Sequence, residues 1–113
     1  KVQDPAFATA FARIENHFFI HRGWMEDGQL IAGADVLAAH QIPGTIVQGR
    51  YDIPCPMGTA WALHRAWPQA ELVVTPASGH ALSEPETLSA LLEATDRMAR
   101  LGRPTPAGPA PAP

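Results

Sequence analysis

The chain has 113 residues, of which 46% are apolar and 17% charged, and a net charge of −3. That is the length of one small domain, and with no basic cluster there is nothing to grip a phosphate backbone, so nucleic acid is not expected as a partner. No window approaches the roughly 18 consecutive apolar residues of a membrane helix, no signal peptide opens the chain, and the lone Cys55 cannot form an internal disulfide, so a cytoplasmic protein without membrane contact is expected.

Asp4-Pro5 reads as a helix start, with Asp at the N-cap and Pro at the first helical position. Phe7, Phe11, Ile14 and Phe18 then fall on one helical stripe, and Glu15 lies beside it on what its spacing alone reads as a solvated face. His17 and His21 are four apart, a metal-ligand spacing, but no HExxH pattern or third ligand cluster accompanies them, so no metal and no cofactor is expected. Gly23–Gly28 is turn-rich, and Leu30–Ala39, broken by Gly33, predicts a helix packed on the outside of a sheet.

Ile42 to Val47 predicts a buried strand, after which Gly49 permits a sharp turn and Asp52 enters a loop stiffened by Pro54 and Pro56. Cys55 in that loop reads as packing filler rather than a nucleophile. Gly58–Trp67 has helical spacing that ends at Pro68, with Trp61 and Trp67 expected in the core. Glu71–Thr75 is the second strand, and His80 follows it in the next loop. Ser83 as N-cap and Glu86 as its capping-box partner open a long helix that buries Leu88, Leu91, Leu92, Thr95 and Met98. From Gly102 the alternation of Pro, Ala and Gly predicts a disordered tail, so the organisation expected is 1–101 as part of an α/β domain and 102–113 as tail.

The order strand, Asp loop, helix, strand, His loop makes the two strands parallel and sends Asp52 and His80 out at the carboxyl edge of one sheet, where catalytic groups gather. By itself His80 reads as a hydrogen-bonded structural histidine; one crossover downstream of Asp52 it reads as a catalytic base whose tautomer the carboxylate fixes. Two parallel strands cannot cover their own faces, and the first methionine is Met25. The chain is therefore expected to be a piece of a larger α/β domain or to pack on another chain.

Arg13-Ile14-Glu15-Asn16-His17-Phe18-Phe19, the Gly49-Arg50-Tyr51-Asp52 turn, Ala60-Trp61 through Trp67-Pro68, and Gly79-His80 followed by Ser83-Glu84-Pro85 together resemble the C-terminal part of the proline iminopeptidases, serine peptidases of α/β-hydrolase fold. The resemblance implies a triad ordered Ser, Asp, His, with Asp52 and His80 as its second and third members. It also implies that Glu15 anchors the substrate ammonium, that the substrate is a peptide with an N-terminal proline, and that a bulky thiol reagent on Cys55 would jam the site. The chain has no G-x-S-x-G and no upstream oxyanion loop, so these are expected from the missing N-terminal part of the hydrolase domain, and the piece alone is expected to be inactive. An esterase or epoxide hydrolase of the same fold, or an inactive fragment, is the alternative expectation.

Overall fold

The structure, a computed structural model, describes residues 4–101, so the expected tail lies outside the described residues. The chain divides into two compact units, one ending at Gly33 and the other beginning at Ala34.

The first unit is built on helix α1, Pro5–Ile20. The carboxylate of Asp4 accepts the Ala6 N–H at 3.0 Å, which satisfies one of the donors a helix start leaves open, and Pro5 takes a position where a missing N–H costs nothing. None of the α1 residues is buried, including the expected stripe of Phe7, Phe11, Ile14 and Phe18. Arg22, Gly23 and Trp24 follow in one left-handed turn, at φ 51°, 59° and 57°. Conformations of this kind are disfavoured for residues with a Cβ, and here the Trp24 ring stacks on His21 and meets His17 and Phe18. His17 and His21 are thus members of an aromatic cluster. A one-turn helix, α2 (Gln29–Ala32), ends the unit.

The second unit opens with α3, Ala34–Ala39, so Leu30–Ala39 is two short helices parted at Gly33 rather than one. Helix α3 packs against α4 and not on the sheet as expected. Its end is a left-handed residue, Gln41 (φ 52°), after which the Ile42 N–H reaches back to the Leu37 carbonyl, a closure that satisfies the helix's last carbonyls. Strand β1 (Gly44–Gly49), helix α4 (Met57–Ala66) and strand β2 (Ala70–Thr75) form the β-α-β unit, and the strands pair in parallel from Gly44 opposite Ala70 to Gly49 opposite Thr75. Helix α5 (Pro85–Leu101) and α4 both pack on the two strands. The chain is therefore mixed helix and strand around a two-stranded parallel sheet.

Small side chains make the closest contacts. The buried apolar residues are Ala34, Ala60, Ala70 and Ala94, and the buried polar ones are Gln48, Thr75, Ser78 and Thr87. On α5 the buried line therefore runs through Thr87 and Ala94, with Leu91 and Met98 half-buried, while Leu88, Leu92 and Thr95 are exposed. The helix turns its small residues to the strands because the Thr87 hydroxyl bonds that of Thr75 across 3.1 Å, a pairing that leucine at the contact would prevent. Trp61 is exposed rather than in the core. Trp67 is half-buried, and its indole N–H donates to the Ile42 carbonyl at 2.8 Å while its ring lies over Gly44, where a Cβ would fall 2.1 Å from the ring.

The role of Gly49 differs from the sharp turn expected of it: its φ is not left-handed. What it supplies is room, because a Cβ there would lie 2.0 Å from the Gly79 carbonyl oxygen and 2.9 Å from that of Ser78. Gly49→Ala should therefore force the two loops apart and destabilise the protein by about 1–3 kcal/mol. Gly58→Ala, on α4 with nothing within 4 Å of the added methyl, should stabilise it by roughly 0.4–1 kcal/mol. Denaturant titration of the two variants measures both.

Candidate active site

Strands β1 and β2 end side by side, and their loops are laced together by main-chain hydrogen bonds. The Arg50 N–H donates to the Thr75 carbonyl at 3.0 Å and the Tyr51 N–H to the Ser78 carbonyl at 2.9 Å. Ser78 is only 2% exposed, so its carbonyl is a fixed acceptor beneath the loops. Asp52 leaves one loop and His80 the other, and they meet: His80 Nδ1 lies 3.1 Å from Oδ1 and 3.2 Å from Oδ2 of Asp52. An ionised carboxylate can only accept, so the ring donates from Nδ1, and in its neutral form it keeps an acceptor lone pair at Nε2. The Asp52 side chain is 9% exposed against 59% for that of His80. The carboxylate is enclosed, while the ring faces outward.

Asp52 is held from several sides. Its Oδ1 accepts the Cys55 N–H at 2.8 Å, and this donor is the largest influence holding the carboxyl below its ordinary pKa. The hydrogen bond and charge of His80, and a weaker contribution from Gln48, act in the same direction against a desolvation that pushes upward. Gln48, buried on β1, donates from Nε2 to the Gly49 and Cys55 carbonyls at 3.1 and 3.0 Å. It thereby ties the strand end to the far side of the Asp loop. Nothing in the apolar pattern of the strand singled out Gln48; a polar residue in a buried run was the available signal.

The His loop is held by two carboxylates. Glu84 accepts the Gly79 N–H at 2.8 Å through Oε2 and the Ala81 N–H at 3.0 Å through Oε1, and so clasps the main chain on both sides of His80. Glu86 accepts the Ala77 N–H at 2.9 Å. The expected Ser83 and Glu86 capping box is therefore corrected. Pro85 fixes the first helical position of α5, the Glu84 carbonyl receives the first helical bond from the Leu88 N–H, and both acidic side chains turn to the loop. Two acids within six residues of a histidine were the signal for this clasp.

Glu15 is an exposed residue of α1 in the first unit. Cys55 is also exposed, so it is not the packing filler expected. Its Sγ, a carboxylate oxygen of Asp52 and a ring nitrogen of His80 lie within 4.8 Å of one another, and these are the groups among the described residues that could together hold a metal ion. No helix among the described residues is long and apolar enough to cross a membrane.

Glu84→Ala leaves the Gly79 and Ala81 N–H groups without their acceptors, and amide exchange at both should speed up by at least about tenfold, one lost hydrogen bond being worth roughly 1–3 kcal/mol. Hydrogen exchange read at those two amides checks this. Because the folded state lowers the Asp52 pKa, the associated stability is fully present above the ordinary carboxylate value of about 3.9 and is lost as pH falls through the lower folded value. In acid, stability should thus fall more steeply in the protein than in Asp52→Asn, which has no titrating group there; unfolding measured across that pH range tests the difference.

No protein-family model matches the chain. Curated proteins do. The chain is 56% identical over 98 residues to a protein of Leptolyngbya boryana named as a probable proline iminopeptidase, the match covering 86% of this chain and 30% of that protein. It is 53% identical to the proline iminopeptidase of Xanthomonas citri, over 86% of this chain and 31% of that one. It is 45% identical to that of Arabidopsis thaliana, over 89% and 26%. Asp52, His80 and Glu15 thus sit in a chain that, through most of its length, is similar in sequence to proline iminopeptidases and spans less than a third of the length of the relatives it matches.

Proposed function

We propose that the protein carrying this sequence is a serine aminopeptidase that releases N-terminal proline from peptides, and that this chain supplies the Asp and His of its triad but not the Ser. The observation that carries the reading is the contact of Asp52 with Nδ1 of His80 at the carboxyl ends of neighbouring parallel strands, in a chain similar to proline iminopeptidases. In this reading the domain is an α/β-hydrolase in the cytoplasm. The partner that covers the two-stranded sheet and the exposed large apolar residues is the remainder of that domain, which brings the nucleophilic serine and the oxyanion loop.

The chemistry follows from the two ring nitrogens. With Nδ1–H donated to Asp52, Nε2 is free to take the serine proton as the hydroxyl attacks the prolyl carbonyl, and then to deliver it to the leaving amine. Asp52 does not change protonation in these steps. It holds the ring and stabilises the imidazolium, and its lowered pKa keeps it charged for that work. Glu15 binds the secondary ammonium of the N-terminal proline by a charge-assisted hydrogen bond. No step calls for a cofactor.

In the protein carrying this chain, Asp52→Asn should lower kcat for a prolyl amide by on the order of 10⁴-fold with the fold intact, since the wrong tautomer is then held. Glu15→Gln should chiefly raise KM, by roughly 10- to 100-fold, as expected for a hydrogen bond to a charged group. Steady-state kinetics on both variants decide the matter, and the reading fails if neither changes hydrolysis of the prolyl amide.

A further inference from the structure

Cys55 is the one member of the Asp52, Cys55 and His80 cluster that the peptidase reading leaves without a task. We propose that these three side chains form a binding site for a soft divalent cation of the zinc class, and that a cation bound there reversibly switches the hydrolase off. The binding half stands on the geometry alone; the switching half rests on the function proposed above.

The donor set selects the ion. A thiolate, an imidazole and a carboxylate are the ligands zinc and cadmium take together, whereas magnesium and calcium require oxygen throughout. Spacing agrees with the chemistry. With bonds of about 2.0–2.3 Å, tetrahedral ligand atoms stand roughly 3.3–3.7 Å apart, and the Asp52 and His80 atoms are already at 3.1 and 3.2 Å. Sγ lies within 4.8 Å of its co-ligands, so a closure of about 1 Å completes the set, and the exposed Cys55 side chain is free to make it.

The scaffold under the ligands is already organised. Asp52 and Cys55 are three residues apart in one loop, bound to each other through the Cys55 N–H and Oδ1, with Gln48 holding the Cys55 carbonyl. Among the described residues Oδ2 makes its hydrogen bond to His80 alone and can turn to a cation. Three protein ligands leave a fourth position for water, as in zinc sites that stay open.

Binding is an exchange of protons for metal, with no change of oxidation state. The Cys55 thiol gives up its proton to solvent, and the neutral His80 ring moves its one proton from Nδ1 to Nε2 by exchange with water when the cation takes the place of the hydrogen now shared with Asp52. That proton then occupies Nε2, the nitrogen that must accept one from serine. If the cation bonds Nε2 instead, it occupies that lone pair directly. The base is blocked either way, and a chelator restores it.

The experiment titrates cadmium into the protein carrying this chain and follows the thiolate-to-metal charge-transfer absorption, then measures prolyl amide hydrolysis against added zinc with and without EDTA. Expected are one equivalent of cadmium bound with a thiolate band, loss of that band in both Cys55→Ser and Cys55→Ala, and at least about tenfold weaker cadmium binding in His80→Gln. Zinc should inhibit the protein reversibly. Cys55→Ser should keep its turnover and need at least about tenfold more zinc for half-inhibition. A missing band, a band that survives removal of the thiol, or unchanged affinity in His80→Gln overturns the site. Zinc inhibition that is equal in Cys55→Ser, or absent while cadmium binds, overturns the switch. A protein that binds cadmium through Cys55 and His80 but cleaves no prolyl amide sinks the function proposed above and leaves the site standing.

Discussion

The contact on which the second unit depends is one between main chains: Gly49 at the end of β1 lies so near the Gly79 carbonyl that no side chain fits between them. Because the gap is closed, the Tyr51 N–H can reach the Ser78 carbonyl and the Arg50 N–H that of Thr75. Those bonds fix where each loop leaves the sheet. The Asp52 and His80 side chains then need only ordinary reach to meet. Geometry at the dyad is thus inherited from hydrogen bonds and from a missing methyl group, and owes little to packing by large apolar residues.

Polar groups continue the same design outward. Gln48, Glu84 and Glu86 each spend their side chains on backbone groups of the two loops, and Thr75 ties β2 both to the Gln48 carbonyl and to Thr87 on α5. No buried side-chain nitrogen or oxygen among the described residues lacks a partner, so this network carries little of the penalty that a half-satisfied one would impose. The surface pair of Arg97 and Glu71, at 2.7 Å but open to water on both sides, adds little beside it. Leu88, Leu92, Val74 and Trp61 are exposed in this chain.

Much of this could be read in the residues beforehand, and the reason is periodicity. Short apolar, β-branched runs marked both strands, helical spacing marked the helices α1, α4 and α5, and the Asp4-Pro5 pair fixed one helix start to the residue. The order of elements was enough to make the strands parallel and bring Asp52 and His80 to one edge. What stayed hidden was set by contacts distant in sequence. Thr87 faces the strands because Thr75 waits there, which shifts the buried line of α5 away from the leucines. Ser83 has every local feature of a cap, yet Pro85 hands that position to Glu84. A clasp such as that of Glu84 on the His loop, or a thiol brought beside a carboxylate and an imidazole from two loops, leaves no periodic trace at all.

The lacing of the loops through backbone groups has an evolutionary corollary. The side chains of Arg50, Tyr51, Ile53 and Pro54 in the same turn are exposed in this chain, and at Arg50 and Tyr51 the loop-to-loop bonds use only the peptide N–H. Drift at these positions can therefore reshape the rim around the dyad while the pair itself stays in register. Sequence change on the outer faces of these loops is thereby uncoupled from the backbone bonds that hold the two loops together.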